Sequence, residues 1–385
     1  VRRRGLSRRG ALLLAVGGLA QLSLPRAAPA ASAPVRSAAD DRAEVAALLA
    51  GRTLPAGVPA AEAVYRNVVP GPAGELGRLA VSAELAVRID GYDDHPVVYP
   101  RRLALIRAAD GWRVEHEEGA GGAPPIWDLG TVRAARGARA LVLGLAGGPD
   151  PAEPAALADL AVPAVEAVWG TGWAGRLLLE LPATEEQFAR LLEAGAADWA
   201  GMAAVTTAAP GAPLDTPADR ILVNPEAYGR LSAFGRQVVV THEAVHVATR
   251  ADTRAWTPLW LSEGVADWTG YLGSGRTARQ IAPELARDIA AGRLPTALPA
   301  DRDFTAGAGG IAQAYELSWL ACDLIARRHG PERLVALYRA VGAADGTQER
   351  DRLLDRVFGA ELGLGLEAFT RLWIAETARL LGPAR

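Results

Sequence analysis

Two histidines four residues apart, with a glutamate directly after the first, make His242-Glu243-Ala244-Val245-His246 the segment of this sequence best suited to chemistry. On a helix, residues i and i+4 project from one face about one turn apart, so both imidazoles can reach a single ion. Glu243 points aside from the pair, toward the open coordination position, where a carboxylate can take a proton from a water. With only five His in 385 residues, a chance match is rare; the competing reading is two core histidines on an amphipathic helix. A structural zinc site normally uses four protein ligands, whereas a catalytic one uses three and leaves a place for water. A third ligand is therefore required. Glu263, within Trp260-Leu261-Ser262-Glu263-Gly264-Val265-Ala266-Asp267-Trp268, can supply it from the next helix. Asp267, one turn further on the same face, can accept a hydrogen bond from a ligating imidazole and fix its tautomer. Asp252 is the rival third ligand, and the solvated side of an amphipathic helix is the plain alternative for Glu263 and Asp267.

A metzincin pattern would need a Gly at position 249 and a His at position 252, where this chain has Thr249 and Asp252, and a later Met, whereas the sole Met is Met202. His-Glu-Ala-Val-His followed, 17 residues after the second His, by Ser-Glu-Gly-Val-Ala-Asp resembles instead the peptidase MA-like gluzincins, over residues 140 to 385. That resemblance implies a zinc ion held by His242, His246 and Glu263, with Glu243 as general base and Asp267 supporting a histidine. It implies peptide or protein substrates. Similar gluzincins place a tyrosine in a helix after the third ligand, which points to Tyr315 as donor to the oxyanion; a packed core Tyr is the alternative, and Tyr271, Arg276 and His329 are rivals. They also bind extended peptide on an exposed strand edge, for which Met202 to Thr207 is the expected segment. Two other classes stay open: a catalytically silent zinc-binding or interaction module, and a hydrolase of a non-peptide amide. Glu243, which no structural site requires, speaks against the silent module.

The elements that must position these residues fall into two groups. Strict alternation from Leu79 to Ile89, a second run over Arg101 to Ala108, the turn pair Asp110-Gly111 and alternation through Trp112, Val114 and His116 predict an antiparallel meander. A short helix over Asp41 to Leu49 precedes it, and the Gly- and Pro-rich Glu118 to Pro125 reads as a linker. This order is similar to a nuclear transport factor two-like cone. Beyond it, strands over Ala140 to Leu145, Arg176 to Leu181, Met202 to Thr207 and Arg220 to Val223 alternate with helices over Pro151 to Val168 and Thr184 to Leu192. Helical spacing then carries Ser232 to Arg250, Pro258 to Leu272, Pro283 to Ala291, Gln313 to His329, Glu332 to Ala340 and Leu366 to Leu381. The expected fold is α+β: a cone-like helix-plus-antiparallel-sheet domain at 40–135, then a gluzincin-type domain of mixed sheet followed by helices at 138–385.

Half of the residues are apolar and 22% charged, the balance of a globular protein. All 41 basic residues are Arg, and the net charge of -3 gives no basic field for nucleic acid. Residues 1–33 read as a signal peptide: Arg2, Arg3, Arg4, Arg8 and Arg9, then the apolar run Ala11 to Leu24 and Ala-Pro-Ala at 28 to 30. That run is too short to span a bilayer, so the expected location is secreted or extracytoplasmic, by the Sec or the twin-arginine route. The single Cys322 excludes an internal disulfide and suits a buried core position.

Overall fold

The computed structural model describes residues 38–73, 77–193, 195, 201–207, 217–305 and 309–382; the expected signal peptide lies outside them. From Arg42 onward the chain forms one compact unit.

Helix α1 (Ala38–Ala50) is followed by four strands, β1 (Ala60–Ala73), β2 (Arg78–Ile89), β3 (Val97–Ala108) and β4 (Gly111–Gly119), in an antiparallel sheet of order β1-β2-β3-β4. The β3–β4 hairpin forms one residue earlier than Asp110-Gly111 suggests. Ala108 pairs with Gly111, so the loop is Ala109-Asp110, and Gly111, at φ 130°, opens β4. A Cβ there would meet Glu44 Oε1 at 2.5 Å, so both conformation and space require glycine. Strand β1 escapes the periodicity argument because Pro70, Gly71 and its register shifts interrupt any alternation.

The second sheet has the order β5-β6-β7-β9-β8, built from β5 (Val132–Arg136), β6 (Ala140–Leu145), β7 (Leu177–Leu181), β8 (Ala204–Thr206) and β9 (Arg220–Val223). Strands β6, β7 and β9 are parallel, and the two edges, β5 and β8, are antiparallel. Helix α2 (Ala152–Trp169) crosses from β6 to β7, and α3 (Glu185–Leu191) follows β7. The central strands read as nearly unbroken apolar runs because both faces are covered. Leu177, Leu179, Leu181, Ile221 and Val223 enter the core shared with the helices. Leu141, Leu143, Leu178 and Leu222 enter a second core with Leu85, Val87 and Ile89 of β2.

The rest is helical: α4 (Pro225–Gly229), α5 (Ala233–Thr249), α6 (Leu259–Tyr271), α7 (Ala278–Ile281), α8 (Pro283–Ala290), α9 (Ile311–His329), α10 (Pro331–Ala343), α11 (Arg350–Leu362) and α12 (Leu366–Leu381). The α+β order of helix, antiparallel sheet, mixed sheet and helices is the one expected. No helix of the described residues is long and apolar enough to cross a membrane. Cys322 is fully buried.

Candidate metal centre

Helix α5 begins at Ser232, whose hydroxyl accepts from the Gly235 N–H at 3.1 Å, a helix-starting cap. Its apolar side, Val240, Ala244, Val245 and Ala248, packs into the helical core. The helical period then turns His242 and His246 together toward α6. Two glycines bring α6 close to its neighbours. A Cβ on Gly264 would lie 2.5 Å from the Ser318 carbonyl oxygen of α9, and one on Gly270 3.1 Å from the Val238 carbonyl oxygen of α5. Glu263, next to Gly264, is thereby held against the histidine pair.

His242 Nε2 and His246 Nε2 are 3.0 Å apart, and Glu263 Oε2 lies 3.1 Å from the first and 3.5 Å from the second. Ligand atoms about 2.0–2.1 Å from a tetrahedral zinc are about 3.3–3.4 Å from one another. The triangle therefore fits a zinc ion, and two imidazoles with one carboxylate are the donor types such an ion takes. Asp267 Oδ1 accepts from His242 Nδ1 at 2.8 Å, which makes Nε2 the ring nitrogen that faces the centre. Burial lowers the His242 pKa, yet the hydrogen bonds and charges of Asp267 and Glu263 outweigh it and hold it well above the usual value. For Glu263, burial works upward but the charges and hydrogen bonds of His246 and His242 win, keeping it well below the carboxylate range. The third donor is thus anionic.

Glu243 is buried at 5% exposure, and its Oε2 accepts from the Thr206 hydroxyl at 2.7 Å. The edge strand β8 and the HExxH helix are joined at the motif glutamate, which is not among the ligand candidates. The centre opens into two cavities of about 240 and 350 Å³, both lined by His242, Glu243, Tyr315, Met202 and Ala204. Tyr315 on α9 has its ring centroid 6.2 Å from that of His242. Burial, then the charges of Glu263, Asp267 and Glu243, and last a hydrogen bond with Glu263 push its hydroxyl pKa far above the phenol range.

The structure brings His242, His246, Glu263, Glu243, Asp267 and Tyr315 to one place. Asp252 lies outside the cluster and accepts from Arg339 Nε at 3.2 Å. Of the rivals to Tyr315, Tyr271 packs on Phe234, Arg276 stacks over that same ring, and His329 is exposed at the end of α9. Trp260 and Trp268 are core, and Trp256 donates to the Val341 carbonyl at 2.9 Å. The role of Thr206 escaped sequence reasoning; 37 residues separate it from Glu243, and no motif joins them.

No family model matches the chain, and no curated protein matches it. Two solved structures similar to it are a two-domain enzyme crystallised as a mutant bound to L-arginine and a protein from Deinococcus radiodurans. Both are M1 zinc metallopeptidases. The first is 14% identical with a TM-score of 0.36, the match covering 81% of this chain and 63% of that one. The second is 14% identical with a TM-score of 0.39, covering 81% of this chain and 62% of that one. The chain spans less than two thirds of the length of either.

Proposed function

We propose that the chain is an exported zinc-dependent peptidase of the gluzincin type, cleaving peptide bonds. The observation that carries this reading is Glu243: a buried carboxylate beside a His-His-Glu donor triangle, oriented by a threonine of the sheet's edge strand. A purely structural metal site has no use for it. His242, His246 and Glu263 would hold zinc, which when bound would supply a Lewis acid for the scissile carbonyl and lower the pKa of a water. Glu243 takes the proton of the attacking water and passes it to the leaving amine. Thr206 fixes one of its carboxylate oxygens and leaves the other to carry that proton. Tyr315, kept protonated by its surroundings, donates to the oxyanion. The outer edge of β8, unpaired among the described residues, adds an extended peptide as a further strand, with the two cavities at the centre for the flanking side chains. Export rests on the arginine-rich leader pattern of residues 1–33.

Hydrolysis of casein and short chromogenic peptides by the zinc-loaded protein, with and without chelator, tests the proposal. Cleavage that the chelator abolishes and added zinc restores is the expected result. A protein that keeps one zinc per chain and cuts neither substrate contradicts it; a cell-wall fragment assayed in parallel identifies a non-peptide amide hydrolase.

A further inference from the structure

Strand β7 reads Leu177-Leu178-Leu179-Glu180-Leu181, one acid among four leucines in a strand buried on both faces. Strand alternation puts Glu180 on the side of Leu178, in the layer between the two sheets. It is 7% exposed, and among the described residues its carboxylate makes no hydrogen bond and no ion pair. Arg220 shares that face on the neighbouring strand, but its Nη1 and Nη2 are directed at Asp93 Oδ1 and Oδ2, at 2.5 and 2.8 Å. Arg250, further along the same cavity, faces Asp219 at 3.3 Å. Each arginine of the cavity thus has an acid of its own, and Glu180 is the charge left over. Burying a carboxyl without a partner costs several kcal/mol, which a fifth leucine would have avoided. Packing does not account for this residue.

Glu180 opens onto a cavity of about 420 Å³ walled by Tyr99, Pro100, Leu191 and Leu222, within the roughly 300–1,000 Å³ of small-molecule sites. We infer that this cavity binds a small organic cation, an ammonium group on an apolar body, with Glu180 as its counter-charge. The ammonium N–H groups satisfy the carboxylate oxygens that the protein leaves unmade. The Tyr99 ring and the aliphatic walls take the apolar body. An anion is refused, because neither arginine has a free positive charge to offer it. Burial, opposed by the Arg220 charge and reinforced by that of Asp93, holds the Glu180 pKa up to about 7, so affinity for the cation rises with pH from 6 to 8. Among the described residues, this cavity shares Arg250 alone with the smaller of the two metal-centre cavities and no lining residue with the larger. The proposal stands independently of whether that centre hydrolyses peptides.

The test is a calorimetric titration of the zinc-loaded full chain with benzylamine, with benzoate and benzyl alcohol as the anionic and neutral probes. Benzylamine is expected to bind in the millimolar range, more tightly at pH 8 than at pH 6, and benzoate not at all. Glu180→Gln, nearly the same size as the native side chain, and Glu180→Leu, the packing choice, should each weaken benzylamine by about tenfold or more, about 1.4 kcal/mol, with zinc content and melting cooperativity kept. Repeating the titration after zinc removal separates this cavity from the metal, since binding here persists without the ion. No binding up to about 20 mM, equal binding in a folded Glu180 variant, or loss of binding together with the zinc would each overturn the inference.

Discussion

At the scale of single residues, His242 is gripped from two sides: its Nδ1 by Asp267 at 2.8 Å, and its Nε2 by the Glu263 carboxylate at 3.1 Å. The first contact fixes the tautomer and raises the basicity of the ring. Asp267→Asn keeps the shape and removes the charge, so zinc affinity should fall roughly 10 to 100-fold. A competition titration against a chromogenic chelator measures it, and unchanged affinity would leave Asp267 as part of a solvated helix face. Much of this was legible in the sequence. The helical period alone sets His242 and His246 on one face, and the Glu263-to-Asp267 spacing puts both acids one turn apart. What stayed hidden depends on contacts between distant segments. Thr206 meets Glu243 because β8 pairs at the sheet edge beside α5, and Asp252 is turned to Arg339 of α10, 87 residues away.

Among the elements, α6 does most to assemble the centre, and it does so through small residues. Gly264 lets it touch α9, which bears Tyr315, and Gly270 lets it touch α5, which bears the histidines. Gly264→Ala would force a methyl against the Ser318 carbonyl and Cys322 Sγ. Overpacking of this kind costs about 1–3 kcal/mol, so denaturant unfolding should show a loss of that size together with weaker zinc binding. Gly359 in α11, with nothing within 4 Å of a Cβ, is the matched control. There the same substitution should be neutral or stabilise by about 0.5–1 kcal/mol, the helix preference for Ala. Equal effects at the two positions would remove the close approach from the account. Elements marked by an apolar run or a helical period were readable in advance: β6, β9 and α12 begin and end where the pattern places them. Strand β5, Val-Arg-Ala-Ala-Arg, has no apolar face to read and owes its existence to pairing with β6. Helix α11 carries Leu353, Leu354, Val357 and Phe358 at helical spacing, a pattern masked by its many charges.

For the whole molecule, the mixed sheet divides two cores, and Glu180 lies in the one shared with the antiparallel sheet. Its carboxyl, moved from 4.5 to about 7, favours the folded state only while protonated. Below about pH 4.5 it is protonated in both states and adds no ionisation cost. As pH rises toward 7 the unfolded chain gives up the proton first, so stability is lost across that interval and then levels off. The shift corresponds to about 3 kcal/mol. Glu180→Gln cannot titrate, so the stability of the native protein relative to this variant should fall by about that amount between pH 4.5 and pH 8, measured by urea unfolding. A constant difference would mean that Glu180 is solvated or paired in solution. Nothing in the sequence marked this acid, because an apolar run with one Glu reads as an ordinary strand until both of its faces are seen to be covered.

The central claim, a hydrolytic zinc centre with separate jobs for its two glutamates, is tested most directly by measuring zinc content and peptide hydrolysis side by side in Glu243→Gln and Glu263→Ala. Glu243→Gln keeps the side chain's size and its hydrogen-bonding edge but cannot take a proton. Zinc should stay near one per chain while turnover drops by at least about 100-fold. Glu263→Ala removes one of three donors and the negative charge that partly neutralises the ion, so the zinc itself should be lost or held far more weakly. Retention of zinc by Glu263→Ala with its loss in Asp252→Ala, or undiminished turnover in Glu243→Gln, would contradict the account.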